Sequence, residues 1–120
     1  MTKVSTASGR HYVWGQVCDG WHLHEGDDLG VIEERVPPGA AEVRHRHHRA
    51  RQFFYVLAGE ATLEVDGTVH RLRAGEGLHV APGAAHQLRN ESAADARFLV
   101  VSAPKSHGDR EAAPHEEARS

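Results

Sequence analysis

The chain has 120 residues and a formal net charge of −3, which suffices for one domain with a modest core and argues against nucleic acid as the main partner. No run reaches the roughly 18 apolar residues of a membrane span, and the N-terminus lacks the apolar core of a signal peptide, so we expect a cytoplasmic protein with no membrane partner. Cys18 is the sole cysteine, so no internal disulfide can form, as suits a reducing compartment.

A strand is predicted from Trp21 to Glu25. It would place His22 and His24 on one face, because side chains two residues apart leave a strand on the same side. This pair has no further ligands at suitable spacing, so it is more typical of a solvent-facing or pocket-rim strand than of a second metal site. In a pocket, His22 and His24 could transfer protons and Glu25 could act as a base.

The next strand covers residues 29 to 36 and ends at the turn Pro37-Pro38-Gly39. A further strand over residues 42 to 47 carries His45 and His47, whose side chains would leave the same face about 7 Å apart. Two imidazoles at that separation can converge on one ion. The alternative is that they are ordinary surface or hydrogen-bonded core histidines.

The strongest strand pattern runs from Gln52 to Leu57, and a hairpin could return Gln52 to the histidine pocket. Both faces of this strand are apolar, because Phe53, Tyr55 and Leu57 lie opposite Gln52, Phe54 and Val56. Two interpretations follow. Either the strand packs beneath another sheet, or its second face forms a homodimer interface.

Residues 61 to 65 and 68 to 73 form a predicted hairpin, because Asp66-Gly67 is a strong two-residue turn signal. Further strands fit residues 77 to 81, 86 to 90 and 96 to 102, and such short strands joined by turns indicate a barrel or sandwich. His79 is either a hydrogen-bonded core residue or a catalytic residue that reaches a cavity. His86 follows the turn Ala81-Pro82-Gly83, which can direct it inward.

Two motifs in order resemble those of the cupin family. The first, G(x)5HxH(x)3–4E(x)6G, matches with Gln52 in place of the glutamate. The second, G(x)5PxG(x)2H(x)3N, matches with Ala81 in place of the proline. The matching residues are Gly39, His45, His47, Gln52, Gly59, Gly75, Gly83, His86 and Asn90.

This resemblance implies an all-β fold, the double-stranded β-helix or cupin jelly-roll barrel, formed by residues 1–103 with their N-terminal strands. It also implies a divalent metal ion held by His45, His47, Gln52 and His86. Residues 104–120 are polar and interrupted by Pro104 and Pro114, so they are predicted to be a C-terminal arm or tail.

The implied ligand set is neutral. It leaves the full +2 charge of the ion uncompensated and does not favour a ferric state, so zinc or nickel acting as a Lewis acid is favoured, with Fe(II) or Mn(II) as alternatives. We therefore expect an enzyme with lyase, isomerase or cyclase chemistry on a small-molecule substrate. Related sets occur in cupins that linearise uronates, cyclise polyketides or form hydrazines, although the acidic residue of the uronate family has no counterpart in residues 97 to 101. The alternatives are a metal-dependent dioxygenase and a non-catalytic binding or sensor protein.

Overall fold

The computed structural model describes residues 2–115, and all of their regular elements except isolated turns are strands. No helix in this part of the chain is long and apolar enough to span a membrane. The strands are β1 (Arg10–Trp14), β2 (Cys18–Glu25), β3 (Gly30–Val36), β4 (His45–His47), β5 (Arg51–Ala58), β6 (Glu60–Val65), β7 (Thr68–Arg73), β8 (Gly77–Val80), β9 (His86–Arg89), β10 (Ala96–Ala103) and β11 (Arg110–Ala112).

The strands form two antiparallel sheets that pack as a jelly-roll barrel, which confirms the predicted fold class. The first sheet has the order β1-β2-β3-β10-β5-β8 and the second β11-β4-β9-β6-β7. The core lies between them and contains Phe54 and Phe98 from the first sheet with Leu63 and Leu88 from the second. Strand alternation places these side chains inward, because every second residue of β10 is buried.

The turn between β6 and β7 shows how the sequence determines local structure. Asp66 and Gly67 both have positive φ, at 48° and 91°. A two-residue hairpin turn of this kind matches the right-handed twist of its strands only when both central residues adopt positive φ. The predicted Asp-Gly hairpin is therefore confirmed, with Val65 paired to Thr68.

The C-terminal segment, predicted to be an arm or tail, includes a strand that was not predicted from the sequence. Strand β11 pairs with β4 in the second sheet, and the Ala113 N–H donates to the carbonyl of Arg44 at 2.9 Å. Alternation could not reveal this strand, because all three of its residues are exposed and it pairs through its backbone. The rest of the predicted tail, residues 116–120, lies outside the described residues.

The outer face of β5 is not covered by any part of residues 2–115. Phe53, Tyr55 and Leu57 remain 42%, 39% and 42% exposed. The interpretation that this strand packs beneath another sheet is therefore wrong for the described chain. The homodimer interface stays a prediction.

Candidate metal centre

Three buried histidines meet at one end of the barrel. His45 and His47 come from β4 and His86 from the start of β9, where it lies opposite His45 in the antiparallel register. One ligand nitrogen from each ring lies within 4.8 Å of the other two. The His-x-His spacing thus directs two rings inward, and strand pairing adds the third.

Backbone carbonyls orient two of the rings. His45 Nδ1 donates to the carbonyl of Val43 at 2.8 Å, and His86 Nδ1 donates to the carbonyl of Ala84 at 3.0 Å. Each bond places the proton on Nδ1 and leaves the lone pair on Nε2, as hydrogen bonds from metal-binding histidines to backbone carbonyls do. The Nε2 atom of His86 is buried and has no hydrogen-bond partner in the described part of the chain.

Gln52, from β5, lines a cavity together with His45 and His47. Its side-chain Nε2 donates to Ser102 Oγ at 3.1 Å, whereas its carbonyl oxygen Oε1 is buried without a hydrogen-bond partner among residues 2–115. A buried acceptor without a partner is costly. A divalent ion would satisfy both this oxygen and the His86 nitrogen, so the residues present fit a metal ion.

Burial keeps the three imidazoles in the form that binds metals. Desolvation lowers the pKa of His45 to about 3. The same cause lowers the pKa of His47 and of His86. The rings are therefore neutral at physiological pH, with lone pairs available for coordination.

His45 and His47 border a cavity of about 260 Å³ whose wall also carries two carboxylates that were not predicted from the sequence. Glu34 accepts a hydrogen bond from the Tyr12 hydroxyl at 3.1 Å. Desolvation raises the pKa of Glu34 to about 7. Glu34 lies opposite Phe98 in the register of β3 and β10. An acidic residue at a strand position that faces the core was the sequence signal that could have identified it.

The second carboxylate belongs to Glu42. Its Oε2 accepts the backbone N–H of Leu88 at 2.9 Å and lies 3.9 Å from His45 Nδ1. Desolvation and then the charge of Glu34 raise the pKa of Glu42 to about 8. Arg110, from β11, lines the same cavity.

The four residues predicted to be catalytic do not lie together in the structure. His22, His24 and Glu25 line a second cavity of about 290 Å³, which adjoins the first. His79 is exposed on β8 opposite Phe53 in the outer face of the sheet. Its neighbour Val80 faces inward and is 2% exposed, so alternation turns His79 away from both cavities and the expectation that it reaches the site is not met.

Several known proteins resemble this chain. Protein SchB from Streptomyces halstedii is 33% identical over 69 residues, which cover 58% of this chain and 50% of SchB. Tetracenomycin polyketide synthase protein TcmJ from Streptomyces glaucescens is 29% identical over 93 residues, covering 72% of this chain and 61% of TcmJ. The chain spans about half the length of the first of these relatives.

Among solved structures, the polyketide cyclase RemF from Streptomyces resistomycificus superposes with a TM-score of 0.80. It is 21% identical and covers 97% of this chain and 88% of its own, so this likeness concerns the fold. Residues 32–102, which include all three histidines and Gln52, match the family described as Cupin domain. The chain therefore belongs to the cupin family.

Proposed function

We propose that this protein is a metal-dependent enzyme that acts on a small molecule through cyclase, isomerase or lyase chemistry. His45, His47, Gln52 and His86 would hold a divalent ion, with zinc or nickel favoured over Fe(II) or Mn(II). The observation that carries the proposal is the buried carbonyl oxygen of Gln52 without a partner, beside three converging neutral imidazoles.

The neutral donor set indicates which chemistry the ion supplies. When bound, it would act as a Lewis acid on a carbonyl or hydroxyl oxygen of the substrate. Four neutral ligands give no anionic stabilisation to an oxidised metal, which makes oxygen chemistry a weaker candidate.

Glu34 would be the proton-transfer group, in place of the His22, His24, Glu25 and His79 candidates predicted from the sequence. Its raised pKa, about 7, lies near physiological pH, where a general acid or base works best. The Tyr12 hydroxyl holds the carboxyl in place by its hydrogen bond. Since Glu34 lines the same cavity as His45, His47 and Gln52, it can exchange a proton with a molecule bound there.

The relatives favour ring formation among the three reaction types. RemF is a polyketide cyclase, and TcmJ is a polyketide synthase protein. A substrate rich in carbonyl groups would suit both the Lewis-acid site and an adjacent carboxyl that moves protons.

The test measures metal content and metal-dependent turnover separately. Purified protein should contain about one divalent ion per chain, and His45→Ala or His47→Ala should lose it on dialysis, because the remaining ligands hold a labile ion poorly. His79→Ala is the matched control and should keep its metal. A stoichiometric ion in the double variant His45→Ala, His47→Ala would refute the site.

Turnover is then assayed on poly-carbonyl substrates with the metal-free protein and with zinc, nickel, Fe(II) or Mn(II) restored. Zinc or nickel should restore activity, and Glu34→Gln should reduce kcat by about 10²-fold or more, as loss of a general acid or base does. Glu33→Gln, next on the same strand but on its other face beside Arg97, is the control. Stoichiometric consumption of oxygen would favour a dioxygenase instead.

A further inference from the structure

His22, His24 and Glu25 line a second cavity, which shares lining residues with the cavity of the metal centre. We propose that it binds a carboxylate or phosphate group of the substrate, remote from the atoms that react at the metal centre. This subsite rests on the proposed function, because it would position the same substrate.

The two cavities share part of their walls. Both are lined by Ile32, Ser102, Ser106 and His107. Ser102 also accepts the hydrogen bond from the Gln52 side chain, so one residue contacts a proposed metal ligand and borders both spaces. At about 260 and 290 Å³ each cavity is smaller than the roughly 300–1,000 Å³ typical of ligand sites, whereas the two together fall within that range. An elongated ligand that extends into both would use the space best.

The charges of the second cavity favour an anion. Its wall contains two permanent cations, Arg10 and Lys105, and one carboxylate, Glu25. Three imidazoles, those of His22, His24 and His107, add further hydrogen-bonding nitrogens. Arginine and lysine side chains are the usual partners of carboxylate and phosphate groups.

Both cations have acidic partners that an incoming anion can replace. Arg10 Nη2 and Nε donate to the two oxygens of Glu25 at 2.5 and 3.3 Å, with side chains 63% and 48% exposed. Lys105 Nζ donates to Asp27, whose side chain is 95% exposed, at 2.8 Å. Exposed ion pairs of this kind contribute little to stability, so exchanging a partner costs little. Arg10 also has five N–H donors and gives only two of them to Glu25.

The backbone holds Lys105 in this position. The Lys105 N–H donates to the carbonyl of Asp27 at 3.1 Å, which ties the segment after β10 to the loop between β2 and β3. This backbone bond fixes the point from which the Lys105 side chain extends along the cavity wall, whichever acid or anion its Nζ contacts. A cation with a fixed backbone loses less entropy on binding an anion than one on a flexible arm.

The experiment titrates inorganic phosphate and, separately, acetate into metal-free and zinc-loaded protein. Calorimetry measures affinity, and imidazole resonances in NMR spectra report the place of binding. One of the two anions should bind saturably to both forms and should shift the resonances of His22, His24 and His107 but not that of the exposed His79. The anion that binds more tightly identifies the group as a phosphate or a carboxylate.

The variant Arg10→Gln, Lys105→Gln should weaken this binding by about tenfold or more, because two charge-assisted contacts are lost. The control Arg71→Gln, Arg73→Gln removes the same charge from two exposed side chains of β7 and should leave the affinity unchanged. Thermal denaturation verifies that both variants are folded. Equal affinities for the two variants, or no saturable binding of either anion, would overturn the subsite.

The metal-free form separates this inference from the proposed function. Binding that needs zinc and ignores the Arg10 and Lys105 substitutions would place the anion on the metal, which refutes the subsite and leaves the metal site standing. Saturable binding at the second cavity, together with purified protein that retains no divalent ion, would support the subsite and refute the metal-dependent function.

Discussion

Single atoms distinguish this site from a hydrophobic barrel interior. The Gln52 carbonyl oxygen and the His86 Nε2 are buried without hydrogen-bond partners, although most buried polar groups in proteins are paired. The amide nitrogen of Gln52 is held by Ser102 Oγ, so the orientation of its oxygen is fixed. Such pre-orientation is expected of a metal ligand.

We expect Gln52→Glu to separate metal affinity from Lewis acidity. The new carboxylate adds a negative charge at the ion, so affinity should hold or improve while non-redox turnover falls, because the substrate oxygen is polarised less strongly. Oxygen-dependent turnover should rise instead, since an anionic ligand makes a redox metal easier to oxidise. Both proteins are compared with the same metal, with and without oxygen. An unchanged non-redox activity would contradict the Lewis-acid proposal.

Glu34 should make the stability of the metal-free protein depend on pH. Its pKa is raised from 4.5 to about 7 in the folded chain, so the folded state binds the proton more tightly than the unfolded state. Ionisation of Glu34 therefore lowers the free energy of unfolding progressively between about pH 4.5 and 7. Glu34→Gln cannot ionise at this position and so avoids this decrease. The free energy of unfolding of the variant minus that of the original protein should therefore increase with pH by up to about 3 kcal/mol.

Urea denaturation after removal of metal, repeated across that pH range, measures the difference. Glu33→Gln controls for the loss of a carboxylate on the same strand. Histidine titrations occur in all three proteins and cancel in the comparison. Parallel pH profiles for Glu34→Gln and the original chain would show that Glu34 is not held in the protonated form.

At the scale of elements, the segment around β11 completes the site. Arg110 lines the metal cavity and Ser106 and His107 line both cavities. The segment is attached to the barrel through Asp109, whose carboxylate accepts the backbone N–H groups of Arg49 and Ala50 at 2.9 and 2.8 Å. A segment read as a tail from its sequence thus supplies one wall of the pocket.

Asp109→Asn should lower the melting temperature at neutral pH. Hydrogen bonds from the backbone N–H groups of Ala50 and Arg49 hold the pKa of Asp109 below its usual range. The contribution of Asp109 to folding stability is therefore fully present above its pKa in the unfolded chain. It is lost as the pH falls through the lower pKa of the folded chain. The difference between variant and original should therefore shrink in acid. Asp28→Asn, at an exposed loop position, is the control in the same thermal scans. A difference that persists in acid would argue against this attachment.

The elements that the sequence predicted are those whose signals are local. Strand β7 spans Thr68 to Arg73 as expected, because alternation and the Asp-Gly turn both fix it, and the His-x-His spacing brought His45 and His47 together. Glu34 and Glu42 were missed because their partners, Tyr12 and Leu88, are distant in sequence. The cavity that receives them exists only after the sheets pair.

At the scale of the whole molecule, the outer face of the first sheet carries exposed apolar side chains that nothing in residues 2–115 covers. Tyr55 and Phe53 of β5 lie beside Leu99 and Val101 of β10 in the antiparallel register, so exposed aromatic and half-buried aliphatic side chains form one continuous patch. Extended apolar surfaces of this kind usually mark an interface. A second copy of the chain can cover it by a twofold axis, since the same patch then serves both partners.

We therefore expect a homodimer that a charge in this patch disrupts. Tyr55→Asp should shift the protein to a monomer in analytical ultracentrifugation, because an unpaired charge buried in an interface costs several kcal/mol. Val69→Asp is the matched control, since Val69 is likewise an exposed apolar residue, 46% accessible, but lies on β7 in the other sheet. It should leave the dimer intact, and circular dichroism should show both variants folded. A monomeric original protein at micromolar concentration, or dissociation by both substitutions alike, would exclude this face as the interface.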